Sequence, residues 1–154
     1  MISPEALRKY IFFGFLKDAE FETVAMYADE VSFKAGEKVF EIDTSADYLY
    51  LLLDGDIELH YSVVDSLVSD KSKDFFVGDI DPGEAFGLSA LLAPFTYTAS
   101  CIATKESKAI KVDAKKLLAL ADENPKLGYA MMTKLAETAF ERLGVVRSEL
   151  VAAR

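Results

Sequence analysis

Apolar positions change their period twice along the chain, from helical spacing to alternation near Val31 and back again after Val112. In the first stretch Leu7, Ile11, Phe15 and Leu16 follow Ser3-Pro4-Glu5, a capping hydroxyl with Pro at the first helical position. A helix broken near Gly14 is predicted there. A second is predicted over Ala19 to Ala28, where Phe21, Val24, Ala25 and Ala28 share one face. Both should cover an apolar surface.

From Val31 the period is two. VSF and KVFEI are short extended runs split by Ala35-Gly36, and YLYLLL joins DIELHYSVV through Asp54-Gly55, a hairpin signal. SVVDSLVSDKSKDFFVGDI reads as a strand, a polar turn at Ser69 to Lys73 and a further strand, while TASCIAT and SKAIKV flank Lys105-Glu106. About eight short antiparallel strands are predicted.

Asp113 then caps AKKLLALAD, and Asn124-Pro125 opens a helix predicted to run to Ala152, roughly 42 Å at 1.5 Å per residue. Leu127, Met131, Leu135, Ala139, Leu143, Val146 and Leu150 keep one apolar stripe along it. The first half should pack on the β domain. The last turns project beyond it, and Ala139, Leu143, Val146 and Leu150 have the spacing of a coiled-coil seam, which predicts a homodimer through this helix. The alternative is a helix folded back on its own domain.

Composition fits one globular unit: 154 residues, 51% apolar, with only 8 Gly and 4 Pro. The expected organisation is a single domain over 1–154, with helices in 1–29, the β-strands in 30–113 and helices in 114–154. The apolar run Ile11 to Leu16 is far shorter than the ~20 residues of a bilayer crossing, and no small-residue cleavage site follows it, so neither anchor nor secretory signal is expected. The single cysteine, Cys101, has no partner for an internal disulfide, which suits a reducing cytoplasm; with no nearby His it reads as an inert strand residue rather than a reactive thiol. A net charge of −9 and a pI near 4.6 oppose a nucleic-acid surface, which needs clustered Lys and Arg.

The order of elements, with the segment Phe86 to Ser100, FGLSALLAPFTYTAS, resembles the cyclic-nucleotide-binding domain of the catabolite activator protein and protein kinase A regulatory families. That family's phosphate-binding cassette reads F-G-E-x-A-L-L-x(3)-P-R-[ST]-A-[ST]. Phe86, Gly87, Ala90, Leu91, Leu92, Thr98, Ala99 and Ser100 fit it, and Gly55 and Gly83 stand where the family places turn glycines. The resemblance implies a mainly β fold with flanking helices, a double-stranded β-helix (jelly-roll) barrel plus a long C-terminal helix. It implies a cassette over 83–101 whose short helix turns backbone N–H groups toward a cyclic phosphate. The site residues it marks are Phe86, Gly87, Leu88, Ser89, Ala90, Tyr97, Thr98 and Ala99.

Two of those positions depart from the family. Its Glu, which accepts the ribose hydroxyl, is Leu88 here, and its phosphate-pairing Arg is Tyr97. A buried hydrogen bond to a charged group is worth roughly 1.5–3 kcal/mol, so each loss weakens cyclic-nucleotide binding by about ten- to a hundredfold. No Lys or Arg lies between Lys73 and Lys105, so the cassette offers no nearby substitute cation and only a distant segment could supply one. On the long helix, Arg142-Leu143 sets a register that puts Val146 and Arg147 where activator-type members carry a base-binding Thr-Ser pair. Val146 cannot bond a base edge; Arg147 either stacks on a base, pairs with an anion or, as the favoured reading, is a solvated helix arginine. At Asp43 many members carry a turn glycine, a mild change because Asp tolerates unusual backbone angles.

Catalysis is not expected. The metal enzymes that share this barrel use two or three His with a carboxylate, and the chain has only His60, which reads as a structural or surface residue. Asp79, Asp81 and Glu84 around Pro82-Gly83 read as solvated turn carboxylates rather than a calcium site. Tyr97, Thr98 and Ser100 form either a reworked set of hydroxyl donors beside an apolar Leu88 wall or part of a filled pocket; close packing favours the filled one.

A cyclic-nucleotide-responsive transcription factor would need a winged helix-turn-helix after the long helix, and the sequence stops at Arg154, so DNA reading is not expected of this chain. The expectation is a cytoplasmic, homodimeric regulatory sensor domain with no metal or cofactor and no nucleic-acid or membrane partner. It would bind a small molecule, if not cyclic AMP in the usual way. The alternative is a dimerisation or protein-interaction scaffold that has lost nucleotide binding.

Overall fold

Two four-stranded antiparallel sheets form the centre of the computed structural model, which describes residues 2–64 and 72–154. The chain runs α1 (Pro4–Arg8), a 3-10 turn (Ile11–Phe13), α2 (Asp18–Ala25), β1 (Ala28–Phe33), β2 (Lys38–Phe40), β3 (Tyr48–Asp54), β4 (Ile57–Val64), β5 (Ser72–Ile80) and β6 (Ala85–Phe86). It continues through a second 3-10 turn (Leu88–Leu91), β7 (Ser100–Ala103), β8 (Ser107–Asp113), α3 (Ala114–Glu123) and α4 (Pro125–Ala152). One sheet has the order β1-β8-β3-β6 and the other β2-β7-β4-β5. This is the jelly-roll arrangement with a long last helix.

Local signals set the helix ends. Ser3 Oγ accepts from the Ala6 N–H at 3.3 Å, Asp113 from Lys116 at 3.1 Å and Asn124 from Leu127 at 3.3 Å. Each satisfies an N–H that the first helical turn leaves without a partner. The first helix does break before Gly14, into α1 and a 3-10 turn. The second stops at Ala25, short of the predicted Ala28, because Ala28 opens β1 opposite Val112 of β8.

Asp54-Gly55 does not close a hairpin. β3 pairs with β6 and β8, and β4 pairs with β5 and β7, so the turn carries the chain from one sheet to the other. Lys105-Glu106 does the same between β7 and β8. The actual hairpin is β4–β5. Of its predicted turn at Ser69 to Lys73, residues 69–71 lie outside the described residues, while Ser72 and Lys73 already belong to β5, opposite Val64 and Val63. Gly55 is needed at its crossing: its φ is +108°, and a Cβ there would meet Ser107 Oγ at 2.1 Å.

The sheets bury two apolar layers. Phe33, Tyr50, Leu52, Ile57, Phe86 and Cys101 pack between the sheets. Leu49, Leu51, Ile110 and Val112 face the other way, against Leu7, Phe13, Leu117, Leu127, Met131 and Leu135 of the helices. β3 is therefore covered on both faces, and this is why YLYLLL reads as an unbroken apolar run. α4 is buried at Leu127, Met131 and Leu135, whereas Leu143, Val146 and Leu150 are 41%, 46% and 64% exposed. Among the described residues no helix is long and apolar enough to cross a membrane.

Candidate functional site

β6 ends at Phe86, and Gly87, with a φ of +72°, swings the chain into the 3-10 turn over Leu88–Leu91. A Cβ at Gly87 would come within 3.1 Å of the Tyr48 carbonyl oxygen, so both the turn and the close approach select glycine. Phe86 and Ala90 point into the core and Leu88 and Ser89 are half-buried.

The return segment is strapped to residues 43–46. The Asp43 N–H bonds the Tyr97 carbonyl at 2.8 Å, the Tyr97 N–H bonds the Thr44 carbonyl at 3.0 Å, and the Ala46 N–H bonds the Phe95 carbonyl at 2.8 Å. Asp43 adopts a φ of +67°, the left-handed conformation that Asp tolerates where glycine is usual. These bonds fix Tyr97, which is 4% exposed; its ring stacks on Phe40 and its hydroxyl donates to the Tyr48 carbonyl at 2.8 Å. Burial holds the phenol well above its ordinary pKa, so it remains a neutral donor.

Beside this assembly lies a cavity of about 630 Å³. The cassette contributes Gly87, Leu88, Ser89, Tyr97, Thr98 and Ala99; Phe40 and Leu59 line the sheet side; Met132, Leu135, Ala136, Ala139 and Arg142 of α4 form the opposite wall. The filled pocket expected from Leu88 and Tyr97 is not found. Tyr97 lies flat against Phe40 and forms wall rather than filling, and the small side chains of Ala99, Ala136 and Ala139 leave space in front of it. Ser89 Oγ and Thr98 Oγ1, 3.4 Å apart, bring hydroxyls to the lining. Ser100 is not among them; its hydroxyl accepts the Ile42 N–H at 2.9 Å and is buried.

Arg142 is the charged residue of this lining. Its guanidinium reaches across from α4 and donates to the Ala85 carbonyl, at the start of the cassette. Burial draws its pKa below the usual value, partly offset by Glu84, yet an arginine stays cationic at any physiological pH. The cation in this lining comes from a segment distant in sequence, α4. Arg142 entered the sequence reading only as a register mark. The available signal was its place three residues after Ala139 and seven after Leu135, on the packed face of the helix.

Other predicted positions fall elsewhere. Val146 and Arg147, one turn further along α4, are not among the residues lining the cavity, and both are exposed. Ala139, predicted in the dimer seam, lines the cavity, while Leu143, Val146 and Leu150 face solvent in this single chain. Cys101 is buried and its thiol is pushed up by burial. The Glu84 carboxylate caps its own turn by accepting the Asp81 N–H at 2.8 Å. Among the described residues no group of three or more His, Cys, Asp and Glu side chains is placed to hold a metal ion.

Comparison with known proteins agrees with this geometry. Residues 30–124 match the family model of the cyclic nucleotide-binding domain. A crystal structure of a Geobacter metallireducens GS-15 protein classed with the cyclic nucleotide-binding proteins superposes with a TM-score of 0.80 at 36% identity, covering 93% of this chain and 99% of the other. The chain therefore belongs to the cyclic nucleotide-binding domain family. The same fold occurs in a cyclic nucleotide-binding domain from Methylobacillus flagellatus KT, with a TM-score of 0.77 at 17% identity over 97% of this chain and 81% of that one. It occurs too in the sensor domain of the transcriptional regulator DNR from Pseudomonas aeruginosa, with a TM-score of 0.71 at 18% identity over 88% and 91%. No curated protein matches the chain in sequence. This is a fold of regulatory and sensor domains.

Proposed function

We propose that this chain is a dimeric regulatory sensor domain in which a small molecule enters the cavity and biases the position of α4. The cavity itself carries this reading, because one wall is the cassette and the other is the helix that leaves the domain. A ligand that touches both walls binds better to one helix position than to another, and that difference is what shifts an equilibrium. Leu143, Val146 and Leu150, unpaired in the single chain, continue from the cavity-lining part of α4 and supply the surface for a second copy. The domain acts in the cytoplasm and performs no catalysis of its own.

Cyclic AMP is not its ligand in the family's usual manner. Leu88 offers the ribose no acceptor, and the Tyr97 hydroxyl is engaged by the Tyr48 carbonyl rather than aimed at a phosphate. The exposed stripe on α4 favours a second reading, a ligand-independent dimerisation scaffold. Thermal denaturation with cyclic AMP, cyclic GMP, cyclic dinucleotides and a library of small acids separates the two, since a ligand at a hundred times its Kd adds about 2.7 kcal/mol of stability. A shift with some compound but none with millimolar cyclic nucleotide is expected. No shift with any compound would leave the scaffold.

A further inference from the structure

We propose that the ligand of this cavity is an apolar monocarboxylate, an alkyl or aryl acid whose carboxylate pairs with Arg142 while its hydrocarbon part fills the space between the cassette and α4. This rests on the sensor reading above and deepens it to a ligand class.

The lining sets the class. Leu59, Leu88, Leu92, Met132 and Leu135 make it apolar, and among the described residues no Asp, Glu, Asn or Gln side chain lines it. A sugar ring placed here would lose water from its hydroxyls and regain few partners, whereas a hydrocarbon gains from the same walls. Phe40 and Tyr97 add flat ring surface. At about 630 Å³ the cavity falls within the roughly 300–1,000 Å³ of small-molecule sites and holds a medium-length chain or a substituted ring.

Arg142 sets the charge. It is one permanent cation in an apolar wall, and among the described residues no carboxylate forms an ion pair with it; its hydrogen bond to protein is to the Ala85 carbonyl. No buried side-chain nitrogen or oxygen among the described residues lacks a partner, so the guanidinium N–H groups not used on Ala85 lie open to the cavity or to the small recess that Glu84, Lys134 and Glu141 also line; Glu84 and Glu141 act on Arg142 through their charge, without an ion pair. A half-buried cation of this kind calls for an anion, and the planar fork of arginine matches the two oxygens of a carboxylate. One cation matches one negative charge. Ser89 and Thr98 provide hydroxyl donors for a second contact.

The test is calorimetric titration of the full chain with octanoate, phenylpropanoate, 1-octanol and cyclic AMP, on the wild type, Arg142→Gln and Arg142→Lys. Octanoate and phenylpropanoate are expected to bind the wild type, at least about tenfold more weakly to Arg142→Gln, and with intermediate affinity to Arg142→Lys, which keeps the charge but not the fork. 1-Octanol is expected to bind the wild type and Arg142→Gln alike, which also shows that the variant cavity is intact. Equal binding of octanoate and 1-octanol, or octanoate binding unchanged by Arg142→Gln, overturns the ligand class and leaves the sensor reading standing. Cyclic AMP binding in preference to both acids overturns it as well. Failure of all four compounds to bind at millimolar concentration overturns the class, and a flat thermal screen besides removes the sensor reading.

Discussion

The ring of Tyr97 lies on the ring of Phe40 with centroids 3.7 Å apart and planes within 9° of parallel. The position that holds a phosphate-binding arginine in the family pattern is here part of the packing between cassette and sheet. Tyr97→Phe removes the hydroxyl that satisfies the Tyr48 carbonyl and is expected to lower stability by about 1 kcal/mol. Tyr97→Arg drives a charge into a slot already packed on Phe40 and should destabilise by roughly 2–4 kcal/mol without conferring cyclic AMP binding. Chemical denaturation gives the stabilities; a Tyr97→Arg variant as stable as the wild type and binding cyclic AMP would refute this account.

His60 is the chain's single histidine, and both of its ring nitrogens meet carboxylates: Nδ1 is 2.9 Å from Asp74 and Nε2 is 3.1 Å from Glu58. A carboxylate only accepts, so satisfying both bonds requires the doubly protonated ring. Burial opposes that charge, but the hydrogen bonds and charges of Glu58 and Asp74 outweigh it and raise the pKa above the ordinary value of 6.5. Because the folded pKa lies above the unfolded one, the contribution is fully present below about pH 6.5 and is lost as pH rises through the folded value. The lone histidine resonance in a proton NMR titration should have its midpoint above 6.5, and the stability difference between wild type and His60→Ala should shrink between pH 5.5 and pH 8.5. A midpoint below 6.5 would show that the two carboxylates do not hold the proton.

The exposed half of α4 makes a quantitative claim on assembly. Light scattering at micromolar concentration should give the mass of a dimer, and Leu143→Glu with Leu150→Glu should give a folded monomer of unchanged helicity, because like charges would then sit in the proposed seam. A monomeric wild type would eliminate the seam.

Gly55→Ala tests the crossing between the sheets. The new methyl would overlap Ser107, whose hydroxyl accepts the Asp56 N–H at 3.1 Å, and the backbone is left-handed there. A loss of roughly 2–4 kcal/mol is expected from strain and the broken bond together, well above the modest effect of Gly36→Ala, where φ is also positive but nothing lies within 4 Å. Denaturant midpoints of the two variants should differ accordingly. Equal midpoints would mean that conformation rather than crowding selects glycine at 55.

What the chain encodes locally was legible in its residues. Ser3, Asp113 and Asn124 announce their helices because a cap involves groups two or three residues apart, and α4 shows its length because one apolar stripe repeats every three or four residues. The cassette was readable as a motif because its glycine, turn and apolar residues are contiguous. Which strands pair was not: β3 and β4 are joined by Asp54-Gly55 yet belong to different sheets, since the burial of β3 on both faces hides the alternation that would assign its partners. Nor was the cavity legible. Whether Leu88 and Tyr97 fill a pocket or wall one depends on where Tyr97 stacks, and the cation appears only when α4, packed along Leu127, Met131 and Leu135, brings Arg142 to Ala85, 57 residues away in sequence. Caps and periods act over a few residues and are written in the sequence; the meeting of Arg142 with the cassette is a product of packing across the whole domain, which tertiary structure alone decides.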